Sequence, residues 1–141
     1  MGFAGQHSIE LRAIGHVVSP LRELAQAPKQ GDEGAPEAWL EIEPELAAGL
    51  RDLRAGQQVL VFTWLDRARR DLVAVHPRGD AARPEQGVFS TRSPDRPNPI
   101  GLHRVRILAM EGTRLRVADL EAIDGTPVLD LKPVLGELGE R

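Results

Sequence analysis

Cysteine does not occur in the 141 residues of this chain. That excludes disulfides, thiolate metal sites and a cysteine nucleophile. No apolar run approaches the roughly 20 residues that a membrane-spanning helix needs. Residues Met1 to Glu10 lack the basic region followed by an apolar stretch that marks a secretory signal. Met1-Gly2 begins like a myristoylation site, but Gln6 stands where Ser or Thr belongs. The histidines at 7, 16, 76 and 103 show no metal-ligand spacing, so each reads as a surface or strand residue and no metal is expected. No Gly-x-Ser-x-Gly elbow occurs, and no phosphate loop ending in Gly-Lys-Ser/Thr. No Gly-x-Gly-x-x-Gly follows a strand, which argues against a Rossmann-type fold. A cytoplasmic protein without membrane contact is the expectation.

What remains is an ordinary globular composition, 41% apolar and 28% charged, of a length that suits one domain. The net charge of −3 hides an asymmetry. Residues 66–106 hold nine arginines against five acids, while the rest of the chain carries nine basic and 16 acidic residues. Such a middle suits a phosphate-binding face, and equally suits scattered, solvated arginines.

Strand patterns dominate. They run over Ile9 to Val18, Ala38 to Glu43, Val59 to Leu65, Asp71 to His76, Gly87 to Thr91, Leu102 to Met110, Arg114 to Leu120 and Val128 to Leu131. Trp39, Glu41 and Glu43 alternate with Leu40 and Ile42, the period of a half-buried strand, whereas Val59 to Leu65 is continuously apolar. Glu111-Gly112-Thr113 reads as a tight hairpin connection, and Asp124-Gly125 supplies a turn with positive φ. One helix is predicted, with Pro44 at its first position, Leu46, Ala47, Leu50 and Leu53 on one side, and Gly56 as its stop. Residues 26–36 and 78–86 read as loops. Together these give an all-β, mainly antiparallel β-barrel with one short helix, over residues 9–135, between flexible termini at 1–8 and 136–141.

Four segments bear on function. In Phe89 to Leu102 the prolines at 94, 97 and 99 fix φ and stiffen the loop, so its polar side chains are held outward. Arg92 and Arg96 offer planar forks for carboxylate or phosphate, and Asn98 can read an amide or a base edge. A rigid connection between two strands is the plainer alternative. In Asp124 to Pro133, alternation puts Asp130 and Lys132 on one strand face, as substrate-orienting groups or as a simple ion pair. Pro28-Lys29-Gln30-Gly31 is by itself a turn, and at Trp64-Leu65-Asp66-Arg67-Ala68 an apolar strand runs out into charge.

In this order the four segments resemble the TrmO (YaeB-like, TsaA-domain) family of S-adenosylmethionine-dependent tRNA methyltransferases, over about Ile9 to Leu135. The motifs Thr-Arg-Ser-Pro-x-Arg-Pro-Asn-Pro-Ile-Gly and Asp-Gly-Thr-Pro-Val-x-Asp-x-Lys-Pro are long and specific. The resemblance implies a β-barrel working as a homodimer, with S-adenosylmethionine near the dimer interface and tRNA as partner. It implies methylation of N6 of threonylcarbamoyladenosine beside the anticodon. By motif, cofactor contacts fall at Gln30, Gly31, Asp66, Arg67, Arg92, Leu102, Asp119, Leu120 and Glu121, and substrate contacts at Arg96, Asn98, Asp130 and Lys132.

Transfer from a sulfonium is an in-line displacement with a good leaving group, so alignment supplies most of the acceleration. The N–H of a ureido nitrogen is more acidic than that of adenine's amine, and Asp130 or Asp124, with Lys132 nearby, is expected to help remove that proton. The alternatives are a family methyltransferase acting on a small molecule or another RNA, and a non-catalytic barrel that binds S-adenosylmethionine or RNA. Two positions depart from the family pattern: Asp66 stands where His is frequent before Arg-Ala, and Val134 where an aromatic follows Lys-Pro. The chain reads as a short single-domain form ending at Arg141, without the C-terminal domain of longer bacterial members, so weaker tRNA binding or a different substrate is expected.

Overall fold

Alternation of side chains decides which face of each strand turns inward, and here nearly every inward position is aliphatic. The computed structural model describes residues 7–21 and 36–136. The strands are β1 (Gly15–Val18), β2 (Ala38–Ile42), β3 (Gln58–Trp64), β4 (Ala74–Val75), β5 (Gln86–Gly87), β6 (Ile100–Glu111), β7 (Arg114–Ala118) and β8 (Pro127–Pro133). Six of them close into a barrel in the order β1-β2-β7-β6-β3-β8, each pair antiparallel. The remaining two, β4 and β5, form a short ribbon outside the ring. The fold class and the short helix beginning at Pro44 agree with the reading of the sequence, and two three-residue 3₁₀ turns, Pro77–Gly79 and Val88–Ser90, join it among the described residues.

Val17, Leu40, Val59, Val61, Ile107, Leu115, Val117 and Val128 are wholly buried in the interior. Each contributes about 1.5–3 kcal/mol of transfer free energy, an upper estimate because unfolded chains are partly collapsed. The outer face is polar. There Arg114 lies 4.4 Å over the Trp39 ring and its Nε is 2.9 Å from Glu41 Oε1. The 12-residue β6 spans the sheet, pairing with β3 over its first half and with β7 over its second, with a register shift between Ile107 and Ala109. Such an irregularity bends a strand, as closure requires. Gly112, at φ +61°, makes the two-residue turn into β7.

Several elements are shorter than their patterns. Residues 9–13 are exposed chain, and pairing begins at Gly15. Asp71 to His76 keeps only Ala74 and Val75 as strand, and of Gly87 to Thr91 only Gly87 is strand while Val88–Ser90 form a 3₁₀ turn, because no ring neighbour is left to pair with them. The Pro44 helix is a seven-residue 3₁₀ helix, a form favoured in short pieces. Its Leu50 joins the core, and Leu46 and Leu53 pack against it. At Asp119 the backbone adopts φ +69°, which ends β7 and redirects the chain. The 26–36 loop and the termini at 1–8 and 136–141 lie largely outside the described residues. Among the described residues no helix is long and apolar enough to cross a membrane.

The approach of β1 to β2 is possible only without a side chain at Gly15, where a Cβ would stand 2.1 Å from the Glu41 carbonyl oxygen. Gly49 has open space around it. Gly15→Ala is therefore expected to cost roughly 1–3 kcal/mol in urea unfolding. Gly49→Ala should be neutral or stabilising by up to about 1 kcal/mol. Equal effects would contradict this account of the β1–β2 contact.

Candidate functional site

One end of the ring gathers the segments singled out in the sequence. Leu65 to Ala68 leave the end of β3, Pro94 to Pro99 enter β6, and Thr126 enters β8. Because β3 pairs with both β6 and β8, these segments meet at one mouth. They enclose a cleft of about 320 Å³, walled on the far side by Glu121 to Ile123 beyond the Asp119 bend. A wider depression of about 720 Å³ lies on the other side of Arg92 to Asp95, against the β4–β5 ribbon. The cleft is the better candidate, because polar groups from several elements converge there.

Of the expected cofactor contacts, Asp66, Arg67, Arg92, Leu102 and Glu121 line the cleft. Asp119 serves as the backbone bend, and Leu120 is wholly buried. Gln30 and Gly31 lie outside the described residues. Of the expected substrate contacts, Arg96 lines the cleft and Asn98 does not. Asp130 and Lys132 do share a face, but it is the outer face of β8. Both are exposed there, with Lys132 Nζ 3.9 Å from Asp130 Oδ2, and they stand outside the cleft. A register shift between Phe62 and Thr63 sets that orientation. Asp124 accepts a 3.0 Å hydrogen bond from the Ser19 backbone N–H and ties β1 to the turn before β8.

The proline-rich loop is held from within. Arg96 donates to the carbonyls of Val88 (2.7 Å), Ser93 (2.9 Å) and Thr91 (3.0 Å). Arg70 donates to the Pro97 carbonyl (2.8 Å) and to Asn98 Oδ1 (3.2 Å), with its guanidinium 5.1 Å over Trp64. Asp95 accepts from the Arg69 backbone N–H at 2.9 Å. Arg69 also grips Asp71 with two bonds, which raises its own pKa and holds the Asp71 carboxyl below its usual range. Three of the nine arginines of the basic middle are thus struts rather than a phosphate face. Arg92 differs: it is exposed at the cleft, and no described residue engages its guanidinium.

The sequence reading missed the polar floor. Thr63, Gly101 and His103 occupy the inward file that is otherwise aliphatic. His103 Nε2 is 2.7 Å from Thr63 Oγ1, and its Nδ1 is 2.5 Å from Glu121 Oε1. An ionised carboxylate only accepts, so Nδ1 carries the proton donated to Glu121, while Nε2 pairs with the Thr63 hydroxyl, a group that can donate or accept. Glu121 Oε2 is buried without a hydrogen-bond partner. A Cβ at Gly101 would fall 2.3 Å from Thr63 Oγ1 and 2.7 Å from His103 Nε2, so only glycine leaves room for this pair. A histidine in register with Val105 and Ile107 was the available signal.

Arg96→Lys is expected to loosen the loop, because a single ammonium cannot reproduce the planar fork. Loss of charge-assisted bonds predicts destabilisation by about 1–3 kcal/mol. Amide exchange should speed up over residues 88–98 and stay unchanged in β2 and β7. Unchanged exchange in the loop would contradict the strut role.

The chain is similar to known proteins in sequence and in fold. The family model of the tRNA-methyltransferase O N-terminal domain matches residues 16–139. An S-adenosyl-L-methionine-binding protein of Archaeoglobus fulgidus is 43% identical over 128 residues, covering 91% of each chain. A second A. fulgidus protein, a probable S-adenosyl-L-methionine-binding protein, is 45% identical over 125 residues. That match covers 89% of this chain and 34% of the relative, so here the chain spans about a third of its relative's length. The crystal structure of TrmO from P. aeruginosa superposes with a TM-score of 0.74 at 30% identity, covering 94% of this chain and 57% of that one. On these matches, the chain belongs to the family of the tRNA-methyltransferase O N-terminal domain.

Proposed function

We propose that the chain binds S-adenosylmethionine in the cleft at the barrel mouth and transfers its methyl group to N6 of threonylcarbamoyladenosine in tRNA. The observation that carries this reading is the convergence on the cleft of Arg92, the buried acceptor Glu121 Oε2 and apolar walls at Leu65, Leu102 and Ile123. An amino-acid carboxylate, a hydrogen-bond donor and a flat apolar heterocycle are the complementary chemistries, and the cofactor has all three. When bound, it supplies a sulfonium methyl group. The protein's share is alignment: Arg92 takes the carboxylate, Glu121 accepts a hydrogen bond, and the braced loop holds the wall still.

Within one protomer the carboxylates of the cleft are Asp66, Asp95 and Glu121, so no proton transfer at the cleft is assigned to Asp130 or Asp124, nor a role to Lys132. Arg104 and Arg106, on the outer face of β6, are the arginines offered to RNA phosphates. A homodimer belongs to the same proposal, with the exposed Val73 and Phe89 beside the larger depression as its apolar contact. So does a place in the cytoplasm, with its tRNA substrate. The relatives named for S-adenosylmethionine binding alone favour a second reading, a barrel that binds the cofactor without catalysis.

Incubation with methyl-labelled cofactor and total tRNA, with and without threonylcarbamoyl modification, separates these readings. Labelling of the modified pool alone is the expected result. Cofactor binding without labelling of either pool would sink the tRNA methylation reading and leave the binding one. Arg92→Ala should weaken cofactor binding at least about tenfold, the loss of one charge-assisted contact. Asp130→Asn should leave turnover within about twofold, as for an exposed residue remote from the chemistry. A large loss in Asp130→Asn would return the proton-transfer role to β8.

A further inference from the structure

We propose that His103 is a positioning residue for the cofactor: its Nδ1–H fixes Glu121 in the one orientation that presents the carboxylate's second oxygen to the ligand. The proposal rests on the cofactor reading above and adds a part that the motifs do not contain.

Glu121 lies in irregular chain between the Asp119 bend and the Asp124-Gly125 turn, so no strand pairing sets its side chain. What sets it is the 2.5 Å contact of Oε1 with His103. The histidine is itself immobile. Its side chain is 4% exposed, it sits on β6 between the inward Gly101 and Val105, and Thr63 of β3 holds the other ring nitrogen at 2.7 Å. A relay thus runs from the hydrogen-bonded β3–β6 pair, through Thr63 and His103, to a carboxylate in the loop. Gly101 completes it, since any Cβ there would collide with both Thr63 Oγ1 and His103 Nε2.

The far end of the relay is unsatisfied. Glu121 Oε2 is buried, lacks a partner, and belongs to a residue that lines the cleft. A buried acceptor without a donor is unfavourable, and a ligand that brings a donor relieves the cost. Ribose hydroxyls, the adenine amine and the α-ammonium of the cofactor are all suitable donors. A freely rotating glutamate would have to be ordered at each binding event. One already held by His103 spares that entropy, which is the advantage of preorganisation.

The ring nitrogens can be replaced one at a time. The amide nitrogen of Asn falls near Nδ1 of His, and that of Gln near Nε2. His103→Asn therefore keeps a donor for Glu121, His103→Gln keeps a group near Thr63 only, and His103→Leu keeps neither. Titration calorimetry with S-adenosylmethionine and with S-adenosylhomocysteine should find His103→Asn within about threefold of wild type, while His103→Gln and His103→Leu weaken binding at least about tenfold. Thermal unfolding should rank the three differently, with Asn and Gln alike, because both place a polar group in the same apolar file. Glu121→Gln, which puts an amide where the ligand's donor must go, should lose at least about tenfold in affinity with little change in melting temperature. Equal affinities for Asn and Gln, or losses that follow melting temperature alone, overturn the positioning role. Wild-type protein that binds neither probe overturns the cofactor reading, and this one with it.

Discussion

The double pairing of β3 is the constraint on which the site depends. One edge of this strand is bonded to β6 from Gln58↔Arg106 to Trp64↔Ile100, and the other to β8 from Val59↔Pro133 to Thr63↔Val128. The order of the ring thereby brings the end of β3 and the starts of β6 and β8 to one mouth. Three segments far apart in sequence become the walls of one cleft, mostly as irregular chain beyond the paired strand ends, with Leu102 and His103 contributed by the start of β6 itself. Loops on a rigid scaffold are the usual arrangement for a binding site, because pairing fixes their ends while their side chains remain specifiable.

Rigidity then passes from the scaffold into the loops. Prolines 94, 97 and 99 remove backbone freedom, and Arg96 and Arg70 take up carbonyls that such a turn leaves unpaired. The Asp119 bend does the same for the opposite wall, sending Leu120 into the core and Glu121 to the cleft. A left-handed φ is uncommon for a residue with a side chain, although Asp tolerates it better than most. It is placed where β7 must stop and the chain must cross the mouth. A cleft braced on both sides suits a reaction whose barrier is lowered chiefly by alignment.

Much of this was legible in the sequence. The alternation of Leu40 and Ile42 against Trp39 and Glu41 gave the inward face of β2, and Gly112 marked the turn between β6 and β7. The proline spacing identified a stiff loop. What could not be read is which partner each polar group would find. An arginine looks the same whether it braces carbonyls, as Arg96 does, or stands open at a cleft, as Arg92 does. Asp130 and Lys132 were rightly placed on one face, but a period of two does not say which face turns inward, and a register shift decided it. His103 meets Glu121 across 18 residues only because β7 ends where it does. A 3₁₀ helix and a short α-helix present nearly the same apolar spacing over the seven residues from Pro44.

The central claim is that the mouth formed by β3, β6 and β8 is the cofactor site. Backbone amide shifts followed by NMR during titration with S-adenosylmethionine test it most directly. The account predicts saturable changes at residues 65–67, 92, 101–103 and 121–123, with the outer face of β8 at Asp130 and Lys132 undisturbed. Saturable changes centred on that outer face, or none at the mouth, would contradict it.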